Sequence, residues 1–274
     1  MGRLCALTKS TIKKALTILD LFETDQLDWT TEEIAKQLQI PSSTCYRYLK
    51  ILSDMGYVVS SSEKGYTLGP KISLLDYHLR LKDPIINACR SHAEKLIEDY
   101  HGCVLINRVF RQSFICIYSL QSKDDLRVFL NPGDAIPILS GANAHVIQAF
   151  LSRHLQLKLF EANRDFFSAA GRGSDFTGFK KNLLDIRRRL VCTETGAMRP
   201  DSIGIAAPLL GRKKNILGTF SFSIPIGSLS VAQEARLVER IREIGVQVST
   251  ELNPQTDIAV GTDRHSVSNK PQPA

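Results

Sequence analysis

The stretch from Thr30 to Leu68 constrains this chain more than any other, because its punctuation permits few backbone paths. Thr30 followed by Glu33 is a capping box, in which each side chain satisfies a backbone N–H that a helix start leaves without a partner. Ile34, Ala35 and Leu38 then supply one apolar face. A short break at Gln39-Ile40 leads to Pro41, which suits the first turn of a second helix because its missing N–H costs nothing there. Cys45, Leu49, Leu52 and Met55 recur at spacings of four, three and three, which predicts one buried stripe, with Ser43, Tyr46, Arg47 and Lys50 on the opposite face. Gly56 stops that helix. Tyr57 to Val59 and Tyr66 to Leu68 flank a polar loop, Ser60 to Gly65, and so predict a hairpin. Helix, tight turn, helix and hairpin make a winged helix-turn-helix.

The exposed face of the second helix suits nucleic acid. Arg47 can donate bidentately to a guanine edge or a phosphate, and Ser42, Ser43 and the free N–H groups of the first turn can bind phosphate. A helix of this kind enters the major groove by its N-terminal end, and Lys64 in the hairpin loop would reach neighbouring phosphates. The candidate DNA contacts are therefore Thr30, Thr31, Ser42, Ser43, Thr44, Tyr46, Arg47, Lys50 and Lys64. Bulk charge adds little: the net charge is +7, but residues 1–80 carry ten Lys and Arg against nine Asp and Glu. Upstream, Ile12, Ala15, Leu16, Ile18, Leu19 and Phe22 predict a helix beginning at Ser10 or Thr11. Lys13 and Lys14 lie off that stripe, on a solvated face or against a phosphate.

The 274 residues leave room for a second domain. No apolar run approaches the roughly 18 residues that span a bilayer, and Met1 to Lys9 lacks the apolar core of a signal peptide, so a cytoplasmic location is expected. The six cysteines are scattered without C-x-x-C spacing and read as small buried hydrophobes, with a redox-sensing thiol as the alternative. No cofactor or metal is expected.

After residue 69 the chain opens, at Pro70, a linker helix over 70–83 carrying Ile72, Leu75 and Leu79, a stripe that a second subunit or the following domain would cover. Residues 84–252 mix helices with neighbouring strands. Helices are predicted near 85–100, 144–151, 155–161, 179–190 and 231–252; strands near 103–109, 113–119, 126–130, 191–195, 203–210 and 216–224. The last two strands flank a cationic tip, Arg212-Lys213-Lys214. Strands adjoining as hairpins among helices indicate an α+β domain on a mostly antiparallel sheet. Residues 253–274 are polar and aperiodic, the composition of a disordered tail.

The run Pro41-Ser42-Ser43-Thr44-Cys45-Tyr46-Arg47-Tyr48-Leu49, with Gly56-Tyr57-Val58 and Tyr66-Thr67-Leu68-Gly69, resembles the winged helix of the IclR family of bacterial transcription regulators. Looser matches follow at Pro132-Gly133, Pro137 to Leu151, Ile203 to Pro208 and Leu217 to Ser223, so the resemblance spans nearly all of residues 10–250. It implies a multidomain α and α+β chain: winged helix-turn-helix, linker helix, and a GAF-like effector-binding domain. It also implies a regulator that binds a palindromic operator as a dimer or tetramer and responds to a small organic acid.

Nothing in the sequence requires catalysis: no nucleophile elbow, phosphate loop or dinucleotide fingerprint is present, and the histidines show no metal-ligand spacing. A binding pocket is better motivated. Ser140-Gly141-Ala142-Asn143 enters a helix whose free N–H groups favour a carboxylate. The resemblance assigns backbone donation to Ala142 and Asn143 and places Glu194, Gly204, Ser221 and Ser223 around the same cavity. Asn143 could instead be a plain N-cap, and Ser221 and Ser223, which share one strand face, could face solvent. Asn143-Ala144-His145 stands where many relatives have Gly-Lys-Ala, and Gly204 where some have Cys. The competing readings are a redox-sensing or enzymatic second domain, acting through Cys103, Cys116 or Cys192 with the winged helix as an interaction module, and a regulator that has lost its effector.

Overall fold

The computed structural model describes residues 11–24, 26–61, 65–122, 130–197 and 199–253. The chain divides into two compact units between Asp83 and Pro84. In the first, α1 (Thr11–Asp20) and a short 3-10 turn (Leu21–Glu23) precede α2 (Thr31–Leu38) and α3 (Ser42–Asp54), then the strands β1 (Val58–Ser61) and β2 (Gly65–Leu68), and finally α4 (Pro70–Lys82). The capping box forms: the Glu33 N–H donates to Thr30 Oγ1 at 3.2 Å and the Thr30 N–H donates to Glu33 Oε2 at 2.8 Å. Ile18, Leu21, Ile34, Leu38, Cys45, Tyr48, Leu49, Leu52 and Val58 make the core.

The apolar stripes of this unit are narrower than the sequence predicts. Ile12 and Leu16 are exposed at 73% and 54%. At roughly 100° per residue Leu16 lies roughly 200° round from Ile18, so the two cannot share one buried face. Pro41 is not in the first turn of α3 but immediately before it, with φ −60° and ψ 141°, and its carbonyl accepts from the N–H groups of Thr44 and Cys45 at 3.0 Å. Met55 is exposed and Tyr48 takes its place in the core, because the stripe of Cys45, Tyr48, Leu49 and Leu52 runs past the end of the helix before another turn completes. β1 and β2 pair antiparallel, and Trp29 joins β2 by two backbone hydrogen bonds to Tyr66. α4 buries no residue; Leu74, Leu75, Tyr77, Leu79 and Leu81 are exposed around it rather than gathered in one stripe. Lys64 lies outside the described residues, as does the tail beyond Asn253.

The second unit runs α5 (Pro84–Asp99), β3 (Cys103–Phe110), β4 (Ser113–Gln121), β5 (Ala135–Pro137), α6 (Ala142–Phe150), α7 (Arg153–Ala162), α8 (Arg164–Ala169), α9 (Phe176–Arg189), β6 (Cys192–Thr195), β7 (Ser202–Leu210), β8 (Ile216–Pro225) and α10 (Val231–Glu251). Among the described residues the sheet is antiparallel throughout, in the order β5-β4-β3-β8-β7-β6. Val104, Ile106, Ile205, Ala207, Phe220 and Phe222 turn to one face, where α5 and α10 cover them with Cys89, Leu96, Leu237, Ile241 and Val248. The other face carries α6, backed by Phe160, Phe167 and Phe179 of α7, α8 and α9. Of the strand expected at 126–130, residues 126–129 lie outside the described residues; β5 lies where no strand is predicted. The short helix α8 was not expected.

α6 is buried on every side. Asn143 is not its N-cap but its second residue; the cap is Gly141, whose φ of +89° admits only a residue without a Cβ at low cost. The Asn143 side chain reaches the sheet: Thr219 Oγ1 donates to Asn143 Oδ1 at 2.7 Å, and Asn107 Nδ2 donates to Thr219 Oγ1 at 3.2 Å. Asn107 and Thr219 are fully buried and Asn107 Oδ1 has no partner among the described residues, so this chain of bonds has nothing to spare. Thr219→Val removes its centre and strands both amides. It should lower the stability of the protein by roughly 1–3 kcal/mol, read from the midpoint of urea unfolding.

Candidate functional site

On the first unit, α3 presents Ser42, Ser43, Tyr46, Arg47 and Lys50 to solvent, with Thr44 half-buried. Tyr46 is 59% exposed, unusually open for an aromatic ring, and the Arg47 guanidinium stands 5.6 Å from the Tyr48 ring centre. Because Pro41 only precedes the helix, the first N–H groups of α3 belong to Ser42 and Ser43, both exposed and able to meet a phosphate. Thr31 is half-buried at the start of α2. Thr30 differs from the other candidates, since its hydroxyl both accepts from the Glu33 N–H and donates to Glu33 Oε2 at 2.9 Å, and is used up within the cap. The Thr30 N–H first, and then the Thr30 hydroxyl, donate to the Glu33 carboxyl and hold it below its ordinary pKa.

On the second unit, a cavity of about 30 Å³ lies between the N-terminus of α6 and the sheet. Ala142, Asn143, Glu194, Gly204, Ser221 and Ser223 all line it. Strand register explains their convergence. Glu194 on β6 pairs with Gly204 on β7, which pairs with Ser223 on β8, which pairs with Cys103 on β3, so these four make one row across the sheet. Ser221 stands in the next row on the same face, beside Ala206 and Leu105. That face lies beneath α6 and not against solvent: Ser221 and Ser223 are 3% and 7% exposed. Ser221 Oγ donates to the Leu105 carbonyl at 3.3 Å, whereas the Ser223 hydroxyl makes no hydrogen bond among the described residues. A Cβ added at Gly204 would meet nothing closer than 3.9 Å, so the missing side chain leaves open space in the cavity wall.

The sequence did not reveal what stands behind Glu194. Arg172, from the loop between α8 and α9, pairs with Glu194 Oε2 and donates to His145 Nδ1 at 2.6 Å, and His145 Nδ1 is 3.2 Å from Glu194 Oε2. His145, Cys192 and Glu194 place possible ligand atoms within 4.8 Å of one another, but the guanidinium already stands as the cation between the imidazole and the carboxylate. Burial first, and then Arg172, push the His145 pKa down to about 3. The neighbouring Glu194 would favour an imidazolium, yet Nδ1 is already accepting from Arg172, so the ring is neutral. Ser202, which alternates with Gly204 on β7, also lines the cavity; period-two reading of that strand would have found it.

Cys45, Cys89, Cys103, Cys116 and Cys192 are buried free thiols. Burial raises Cys45 and Cys192 to about 11 and Cys116 to about 12, so their thiolates are scarce at neutral pH. Iodoacetamide at pH 7.5 should leave all five unmodified in the native protein and label them after denaturation, as read by mass spectrometry. His145 makes stability depend on acid. The unfolded chain takes up this proton near 6.5, whereas the folded chain holds it off until about 3. The contribution is therefore intact above pH 6.5 and is lost as pH falls from 6.5 towards 3, by at most about 1.4 kcal/mol per pH unit. Urea midpoints measured from pH 7 to pH 5 should fall less steeply in His145→Gln than in the natural protein.

Family comparison agrees with this geometry. The family model described as the IclR helix-turn-helix domain matches residues 11–62, and that described as bacterial transcriptional regulator IclR C-terminal matches residues 81–250. No curated protein sequence matches the chain. Among solved structures, the chain is similar to an IclR transcriptional regulator from Alicyclobacillus acidocaldarius, with 19% identity over 88% of this chain and 98% of that one and a TM-score of 0.71. It is similar to an IclR family transcriptional regulator from Brucella abortus, with 18% identity, coverage of 91% and 98%, and a TM-score of 0.70. A third, an IclR homolog from Microbacterium hydrocarbonoxydans complexed with 4-hydroxybenzoate, shares 16% identity over 89% and 99% with a TM-score of 0.68. At these identities the likeness is one of fold. The two family matches together take in most of the chain, which belongs to the IclR family of bacterial transcriptional regulators.

Proposed function

We propose that this regulator binds a two-fold symmetric operator as a dimer and that a small organic acid in the α6 cavity modulates that binding. The observation that carries the reading is the Ser223 hydroxyl, which makes no hydrogen bond among the described residues and lines the same cavity as the free N–H groups of α6. A ligand oxygen in that cavity would take up the hydroxyl's hydrogen bond. The aromatic acid held by the Microbacterium homolog supports an acid here.

On DNA, the first N–H groups of α3, with Ser42 and Thr44, would hold phosphates, Thr31 would add a contact from the start of α2, and Ser43, Tyr46, Arg47 and Lys50 would read bases. The cap bonds of Thr30 reserve it for holding α2 in place. The exposed leucines of α4 support pairing of two chains through that helix, which would serve as the linker, and light scattering of the full-length protein would read a dimer or tetramer mass. A cytoplasmic location fits this role. The redox alternative loses its basis in the burial and raised pKa values of Cys116 and Cys192 and the burial of Cys103.

Purified protein retained on genomic fragments at near-physiological salt should select one palindromic site. Arg47→Ala should weaken that site by roughly 1–3 kcal/mol, or about 5- to 150-fold; unchanged affinity would remove α3 as the reading helix. Gly204→Val should fill the cavity and abolish the response to small acids, while operator affinity in their absence stays within about twofold of the natural protein. A Gly204→Val protein that still responded would move the effector site elsewhere.

A further inference from the structure

Among the described residues the cavity's wall contains one charged residue, and it is an acid. Glu194 lines a space otherwise bounded by helix N–H groups, serine hydroxyls, Gly204 and apolar side chains. Such a wall is at odds with a plain carboxylate ligand, since two carboxylates in one dry site repel. Arg172 resolves half of the conflict by pairing with Glu194 Oε2, and the neutral His145 beside it adds no further charge. The other oxygen, Oε1, makes no hydrogen bond among the described residues.

We infer that the effector is a small acid that also carries a hydrogen-bond donor, a hydroxyl or an amine, with its acid group at the N-terminus of α6 and Ser223, and its donor on Glu194. The inference rests on the effector-site reading given above. The row Glu194, Gly204, Ser223 sets the two ends. Two strand spacings of about 4.8 Å separate Glu194 from Ser223, and the residue between them has no side chain. A ligand laid along the row therefore meets a free acceptor at one end and free donors at the other. A plain acid closing the cavity strips water from Oε1 and gives it nothing in return; a hydroxy or amino acid replaces that water. Arg172 is thus a specificity-determining residue acting through Glu194, since it keeps the carboxylate in the wall from repelling every acid.

Calorimetric titration of the full-length protein with two matched series tests this: acetate, glycolate and glycine, then propionate, 3-hydroxypropionate and β-alanine. In each series at least one donor-bearing member should bind roughly tenfold or more tightly than the plain acid, the difference expected for a hydrogen bond to a charged group. Glu194→Gln should erase that preference and strengthen the plain acid, because it frees Arg172. Arg172→Gln, which leaves Glu194 unneutralised, should weaken the plain acid further while retaining the preference, and this variant carries the test if the first does not fold. Equal binding of plain and donor-bearing acids by the natural protein, with binding lost in Gly204→Val, would overturn the inference and leave the effector site standing. Binding of none of the six would overturn both.

Discussion

Everything in the second unit answers to the complete burial of α6. A helix hidden on all sides has no water to satisfy its polar groups, yet this one carries Asn143, His145 and Gln148. Each is matched by a specific partner. Thr219 meets Asn143, Arg172 meets His145, and Gln148 Nε2 donates to the carbonyls of Ile138 and Leu139 at 3.1 Å. Gln156 of α7 in turn donates to the Gln148 carbonyl at 2.9 Å. These contacts draw in the sheet, the loop before α9, the segment after β5 and the next helix. The buried helix therefore fixes the positions of the elements around it as much as they enclose it.

That arrangement explains why a cavity persists at the N-terminal end of α6. Along most of its length α6 packs by Val146, Ile147, Ala149 and Phe150 into the two clusters on its side of the sheet. At its N-terminus the sheet offers Gly204 and serines in place of branched side chains, and the row beneath is correspondingly shallow. Small residues there sacrifice apolar burial that the Phe160, Phe167 and Phe179 cluster supplies elsewhere. Stability and binding are thus assigned to different ends of the same helix.

Much of this was legible in the chain. The capping box at Thr30 and Glu33, the break at Pro41 and the stop at Gly56 locate α2 and α3 because each is a local event, decided within a few residues. The shared face of Ser221 and Ser223 was legible for the same reason. Which side of the sheet would be covered was not, since alternation yields two faces and does not say where a helix will lie. The apolar stripe of α1 is narrower than its sequence implies because five apolar residues wrap too far round a ten-residue helix, and Phe22 falls in the 3-10 turn after it. The group of His145, Arg172 and Glu194 left no local signal at all: 27, 22 and 49 residues separate its members, and only the packing of α6 against the loop before α9 brings them together.

The borders of the sheet have a further consequence. Its outer strands, β5 and β6, are three and four residues long, and β5 ends in Pro137, which has no N–H to offer. Strands so short present too little free backbone to template another chain, which guards the long central hairpin of β7 and β8 against ribbon-like growth. Contacts made across these two borders would then be written in side chains rather than in backbone hydrogen bonds, and surface substitution there would leave untouched the register that shapes the cavity.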